Sequence, residues 1–297
     1  MHQYDYKRFT GVILQELDPN YIDTHDYLTD LPGYKNDQKE NRAEDGYLYT
    51  TDTREGSEHM HSIPVEYRIN RHSFRSQHFE NFKPEDTNIL FAGCSWTHGT
   101  GIPENMVWTN VLTNKMREAY PDQKIEPYNI GIGGASIPLI FKNVFAFLRK
   151  YPEVDYLYIL FPGFDRASRI QDGFDGFKKI TYVPPDKNVF KIPIIKRHAL
   201  NYIPEESMHI MLPMIKAIED ICELRRIKLY WGTWVSPNNV VFETYDFKNY
   251  IKLPNWTNID IKEADPTFFK VAKDGSHPGH EHNIELATAF FEKTING

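Results

Sequence analysis

From Thr87 onward the chain alternates short apolar runs with longer amphipathic stretches, and that rhythm limits the folds open to it. Strands are expected over 88–93 (Asn88-Ile89-Leu90-Phe91-Ala92-Gly93), 127–131, 154–161 and 227–235, each an apolar run bounded by turn residues. Helices are expected over 104–120, 137–150, 205–226 and 279–294. In the second of these, Leu139, Ile140, Asn143, Val144 and Phe147 fall near helical spacing and give one apolar face. Strands alternating with helices imply a parallel sheet covered on both faces, a three-layer α/β fold with flavodoxin-like winding. Ligands of such sheets sit beyond the carboxyl ends of the strands. Ser95, Gly134 and Gly163 each follow an expected strand, so they would share that rim.

The first 85 residues lack this rhythm. They are rich in Asp, Glu, Asn and Tyr, with turn signals at Asp18-Pro19-Asn20 and Leu31-Pro32-Gly33. They read as an acidic, irregular extension (1–85) that packs on the main domain (86–297) or on a partner. Its one suggestive segment is Glu66-Tyr67-Arg68-Ile69-Asn70, running into Phe74-Arg75-Ser76. The stretch 166–204 also breaks the pattern, with Lys178, Lys179, Lys187, Lys191, Lys196 and Arg197 alongside Pro184, Pro185 and Pro193. A long insertion just after a rim position is where a lid or specificity loop would sit, though a solvated excursion fits equally well.

Composition narrows the functional classes. A net charge of −7 argues against non-specific nucleic-acid binding, which needs basic residues to neutralise phosphates. No stretch is apolar and long enough to span a bilayer, and the first residues lack a signal-peptide pattern. Two cysteines, Cys94 and Cys222, make no disulfide framework, so a cytoplasmic setting, or a virion particle, is expected.

Two clusters carry chemistry. Ser95 leaves the end of a buried strand with glycines following at Gly99 and Gly101, which places a small hydroxyl where substrate can meet it. Far along the chain, Asp274 and His277 lie three residues apart before a helix, so one loop could present a base and the carboxylate that orients it. Ser95 is the expected nucleophile, His277 the base and Asp274 its partner. Taken singly, Ser95 would also serve as a helix N-cap and His277 as part of a cap on the last helix. Cys94 is not expected to share the role, because neighbouring side chains at a strand exit point apart. His277, Glu281, His280 and His282 invite a metal reading, but no Cys or acidic motif of zinc spacing accompanies them; no metal and no cofactor is expected. The run Gly131-Ile132-Gly133-Gly134 lacks the third glycine of a dinucleotide fingerprint. Trp231 and Trp234 read as core or pocket wall.

With these blocks in order, the sequence from about residue 87 to 297 resembles the SGNH (GDSL-like) hydrolase family. Phe91-Ala92-Gly93-Cys94-Ser95-Trp96-Thr97-His98-Gly99 is similar to the first block, with Cys94 where the family usually has Asp. Asn129-Ile130-Gly131-Ile132-Gly133-Gly134-Ala135-Ser136 is similar to the second, whose later glycine, here Gly134, lends a backbone N–H to the oxyanion hole beside that of Ser95. Pro162-Gly163-Phe164-Asp165-Arg166 stands at the third, where the family uses an Asn donor and this chain has Asp165. An ionised carboxylate only accepts hydrogen bonds, so Asp165 is expected to pair with an arginine rather than to face the oxyanion. The last block is Asp274-Gly275-Ser276-His277-Pro278. Arg166 and Arg169 are candidates for an anionic substrate group, or for pairing with Asp172 and Asp175. The resemblance implies a serine esterase or acyltransferase acting on a small-molecule or carbohydrate ester, such as an O-acetylated sugar. It extends to phage-encoded members and members linked to polysaccharide acylation. The other reading it leaves open is an inactive fold serving as a phage structural or carbohydrate-binding protein.

Overall fold

A computed structural model describes residues 43–52, 64–72, 74–164, 167–173, 176–182, 204–245, 247–253, 272–273 and 277–297. In chain order the elements are β1 (Leu48–Thr51), β2 (Glu66–Ile69), β3 (Thr87–Gly93), α1 (Ser95–His98), α2 (Trp108–Ala119), β4 (Ile125–Asn129), α3 (Ile137–Lys150) and β5 (Tyr156–Phe161). There follow β6 (Ala167–Gly173), β7 (Gly176–Tyr182), α4 (Pro204–Arg225), β8 (Lys228–Thr233), α5 (Ser236–Thr244) and α6 (His280–Asn296).

The main sheet is parallel and ordered β4-β3-β5-β8. Beyond β8, Trp231 N–H donates to Asn249 O (3.1 Å) and Ile251 N–H to Trp231 O (2.7 Å), so residues 249–251 extend the sheet in the same direction. Counted along the chain, the order is second-first-third-fourth-fifth, the flavodoxin-like winding expected from the strand–helix rhythm.

Both faces of the sheet are buried, which is why β3 and β5 are continuously apolar. Leu90, Ala92, Leu157, Ile159 and Phe161 point to one side, against Ile140, Val144 and Phe147 of α3 and Ile215 and Ile218 of α4. Ile89, Phe91, Tyr156, Tyr158 and Leu160 point to the other, against Trp108, Leu112 and Met116 of α2 and Leu286, Ala287 and Phe290 of α6. Strand alternation therefore feeds two separate cores from one run of residues. The apolar face expected for α3 is buried throughout. Both cysteines are buried and free.

Several boundaries differ from expectation, among them the start of β5 at Tyr156 rather than 154 and the end of β8 at Thr233 rather than 235. The helix expected over 104–120 is a 3₁₀ turn (Glu104–Met106) followed by α2, because Val107 is extended (φ −68°, ψ 138°) and breaks the ladder. The second strand runs over Ile125–Asn129, two residues earlier than 127–131; Pro127 is tolerated there because β4 is an edge strand. The lid candidate begins with an antiparallel hairpin, β6 paired with β7, where no strand was expected.

The described part of the 1–85 segment carries the β1–β2 hairpin and a loop that covers the sheet's open edge. Ser76 Oγ accepts from Asn129 N–H (2.9 Å), and Gln77 Nε2 donates to Pro127 O (3.0 Å). The loop is held by Asn70, whose Oδ1 accepts from His72 and Phe74 N–H (3.0 and 3.1 Å) and whose Nδ2 donates to Gln77 O (2.9 Å).

Candidate active site

At the end of β3 the chain makes one tight turn, α1, which closes at Gly99 (φ 77°) with Gly99 and Thr100 N–H both donating to Ser95 O (3.0 and 3.1 Å). Two glycines make the turn fit. A Cβ on Gly93 would lie 2.9 Å from Leu160 O, and one on Gly131 only 2.7 Å from His98 N and 2.8 Å from Thr97 C. The β4 loop thus presses backbone against backbone under the Ser95 turn. Asn129 fastens the same contact: its Nδ2 donates to Thr97 O (2.8 Å) and its Oδ1 accepts from Gly131 N–H (2.8 Å). Within this turn Cys94 is fully buried, whereas Ser95 meets a partner outside its own element.

That partner is His277, whose Nε2 lies 2.7 Å from Ser95 Oγ across 182 residues of sequence. With the imidazole proton on Nδ1, the hydroxyl donates and Nε2 accepts, the geometry from which a base withdraws a proton. The His277 segment is tied at both ends. Upstream, Ala272 N–H donates to His277 O and Lys273 N–H to Gly101 O, each at 2.8 Å. Downstream, Asn283 Nδ2 donates to Gly279 O (2.8 Å) while its Oδ1 accepts from Trp108 N–H (2.9 Å), which joins the start of α6 to the start of α2.

Gly134, the expected oxyanion donor, follows β4 with φ 68°, on the side of β3 away from β5. Beside it, the Cα of Gly133 has nothing within 4 Å of where a Cβ would stand, so the loop faces open space. On the other flank Trp96, next in sequence to Ser95, stacks on Trp234 from the end of β8, with ring centroids 4.7 Å apart and planes at 13°. The two indoles are partly buried, and the strands they follow, β3 and β8, flank β5 in the sheet. Trp96 was not expected as a wall residue; its partner lies 138 positions on, and adjacency to Ser95 was the signal that pointed to it.

Asp274, Asp165 and Arg166 lie outside the described residues. Arg169 falls in β6, of which the backbone alone is described. His280 and His282 belong to α6, and among the described residues no three His, Cys, Asp or Glu side chains converge as a metal site. Among the described residues no helix is long and apolar enough to cross a membrane. His98, three residues after Ser95, is buried, and burial, with Arg75 and His277 nearby, pushes its pKa down to about 3, so it stands neutral beside the pair.

No family model matches the sequence, and no curated protein matches it. Solved structures do. The chain is similar to solved esterases and to members of the lipolytic G-D-S-L family. One is the psychrotrophic esterase EstA from Pseudoalteromonas sp., at 17% identity, with 71% of this chain and 100% of that one covered and a TM-score of 0.42. Another is the acetylxylan esterase Axe2 from Geobacillus stearothermophilus, at 15% identity, with 70% and 93% covered and a TM-score of 0.42. A third is a member of the lipolytic G-D-S-L family from Veillonella parvula, at 12% identity, with 71% and 100% covered and a TM-score of 0.42.

Proposed function

We propose that this protein is a serine-dependent ester hydrolase, and the observation that carries the reading is the 2.7 Å contact between Ser95 Oγ and His277 Nε2 at the carboxyl rim of a parallel sheet. In this mechanism Ser95 Oγ attacks the ester carbonyl carbon as its proton passes to His277 Nε2. The carbonyl oxygen takes the displaced electron pair and is held by the backbone N–H groups of Ser95 and Gly134. Collapse breaks the bond to the alcohol oxygen, which leaves with the proton from His277. Water then attacks the acyl-serine, gives its proton to His277, and Ser95 departs with that proton restored. Asp274 orients the imidazole and stabilises its charged form. A sugar hydroxyl in place of water would make the same site an acyltransferase.

The substrate we favour is a small ester of a carbohydrate. The Trp96–Trp234 stack supports this, since a flat aromatic surface beside the nucleophile suits the apolar face of a sugar ring better than it suits a long flexible chain. Asp165, where an amide donor would be expected, favours the second reading, an inactive fold that binds carbohydrate or serves in a phage particle. A serine-directed fluorophosphonate separates the two. It should label the folded protein at Ser95 and leave Ser95→Ala unlabelled; a folded wild type that resists labelling and hydrolyses neither p-nitrophenyl acetate nor an O-acetylated sugar would establish the inactive reading.

A further inference from the structure

We infer that Arg75, on the loop after β2, is a positioning residue for Ser95 and His277, acting through the 98–102 segment that both of them lean on. The inference rests on the ester-hydrolase reading for its kinetic consequences. The geometry behind it does not.

Arg75 is 3% exposed; both terminal nitrogens of its guanidinium donate to backbone carbonyls, and its buried Nε meets no hydrogen-bond partner among the described residues. Nη1 donates to Gly99 O (2.6 Å) and His98 O (3.4 Å); Nη2 donates to Ile102 O (3.0 Å) and Glu66 O (3.1 Å). Its Cζ lies 4.6 Å from the centroid of the Tyr67 ring. Among the described residues no carboxylate forms an ion pair with it. A buried cation hydrogen-bonded to carbonyl dipoles, with Glu104 acting on it only through space, is a costly arrangement, and an apolar side chain of similar volume would fill the space at less cost. What the guanidinium supplies and an apolar group cannot is a planar fork that gathers several carbonyls of one loop toward a point.

The gathered loop is the one that both candidate catalytic side chains depend on. Its carbonyls at His98 and Gly99 end the Ser95 turn, and Gly99 and Thr100 N–H close that turn on Ser95 O. Its Gly101 N–H donates to Tyr67 Oη (2.8 Å), and Tyr67 Oη in turn donates to Asp52 Oδ2 (3.0 Å). Gly101 O receives Lys273 N–H, and the neighbouring Ala272 N–H holds His277 O. A single five-residue loop therefore fixes two side chains 182 positions apart, and Arg75 and Tyr67 fix the loop. Misplacement of about 1 Å far from the chemistry can cost about 10²-fold in rate. Residues before the main domain thus complete its site.

The test uses the full-length protein and compares Arg75→Ala, Arg75→Lys and Tyr67→Phe with wild type. Arg75→Ala, folded by circular dichroism, should lose about 10- to 100-fold in kcat on p-nitrophenyl acetate with KM changed less than about threefold. Millimolar guanidinium ion should restore part of that loss, and methylammonium should not, because only the former reproduces the fork. Arg75→Lys should fall between the two. If Arg75→Ala does not fold, Tyr67→Phe decides: it keeps the ring and removes the acceptor of Gly101 N–H, and should lower kcat several-fold at unchanged KM. The ring ¹⁵N shifts of His277, which report its hydrogen bond to Ser95 with or without turnover, should move in the folded variants. Unchanged shifts with unchanged kcat, or a loss of activity that merely tracks the unfolded fraction and resists guanidinium, would overturn the inference. A wild type inert to fluorophosphonate sinks the hydrolase reading instead, and the ¹⁵N shifts then still decide the role of Arg75.

Discussion

At the scale of single residues, two histidines near one turn are treated oppositely. His277 meets Ser95 at 2.7 Å, while His98 is sealed beneath the turn with its ring against Tyr67 (5.7 Å between centroids). Because burial pushes the His98 pKa down to about 3 from an ordinary 6.5, the unfolded chain binds a proton there across that interval and the folded chain does not. Stability should consequently fall as pH drops from about 6.5 toward 3, by at most about 1.4 kcal/mol per unit from this group. Urea titrations at pH 7 and pH 4.5 should show a smaller difference between the two pH values for His98→Gln than for wild type; an equal difference would remove His98 from the account. For the pair itself, Ser95→Ala and His277→Ala should each lower hydrolysis of p-nitrophenyl acetate by about 10³-fold or more without altering the circular dichroism spectrum. Ser95 and His277 were legible because a small hydroxyl at a strand exit and a histidine three residues after an aspartate are patterns of side-chain identity. The roles of Arg75, Tyr67 and Asn129 at the site were not, because each reaches the Ser95 turn and its loop through backbone groups, and a backbone N–H or carbonyl leaves no trace in a sequence.

At the scale of elements, the position of the Ser95 turn is set by how closely β3, β4 and their loops approach. Gly131 and Gly133 lie two apart in one loop yet stand in opposite situations: a Cβ on the first meets Thr97 and His98 backbone below 3 Å, and on the second meets nothing within 4 Å. Backbone cannot swing aside as a side chain can, so Gly131→Ala should cost about 1–3 kcal/mol and lower kcat by displacing α1. Gly133→Ala should leave both nearly unchanged. Thermal melts and kcat for the pair of variants check this, and equal behaviour would show that the loop and turn are not in the contact described. The strand–helix rhythm made the elements legible to within a few residues. It missed the break at Val107 and the early start of β4 because both are decided by tertiary partners. Trp108 N–H is claimed by Asn283 of a distant helix, and Ile125 pairs with Thr87 in the sheet.

At the scale of the whole molecule, a sheet buried on both faces still has two edges to cover. One is met by Ser76 and Gln77 along β4, and the other by residues 249–251 along β8. The second cover is held by a buried carboxylate. Glu219 of α4, 2% exposed, accepts from Trp231 Nε1 (3.1 Å) and from Asn249 N–H (3.0 Å), with Lys216 Nζ 3.4 Å away. It therefore joins a helix of one core to the last paired strand and to the segment that closes the sheet. Parallel winding could be read from the order of apolar runs, but this cover could not, since residues 249–251 have no strand-like pattern of their own. Glu219→Leu would match the burial and leave the Trp231 and Asn249 donors unpaired, at about 1–3 kcal/mol for each group. Glu219→Gln retains a carbonyl acceptor and should recover part of the loss. Hydrogen exchange localises the effect: in Glu219→Leu the Trp231 and Ile251 amides should exchange faster than the amides of β3, at the sheet's centre. Uniform acceleration across the sheet would mean that Glu219 supports global stability only, and that the 249–251 segment is held to β8 by its own backbone bonds.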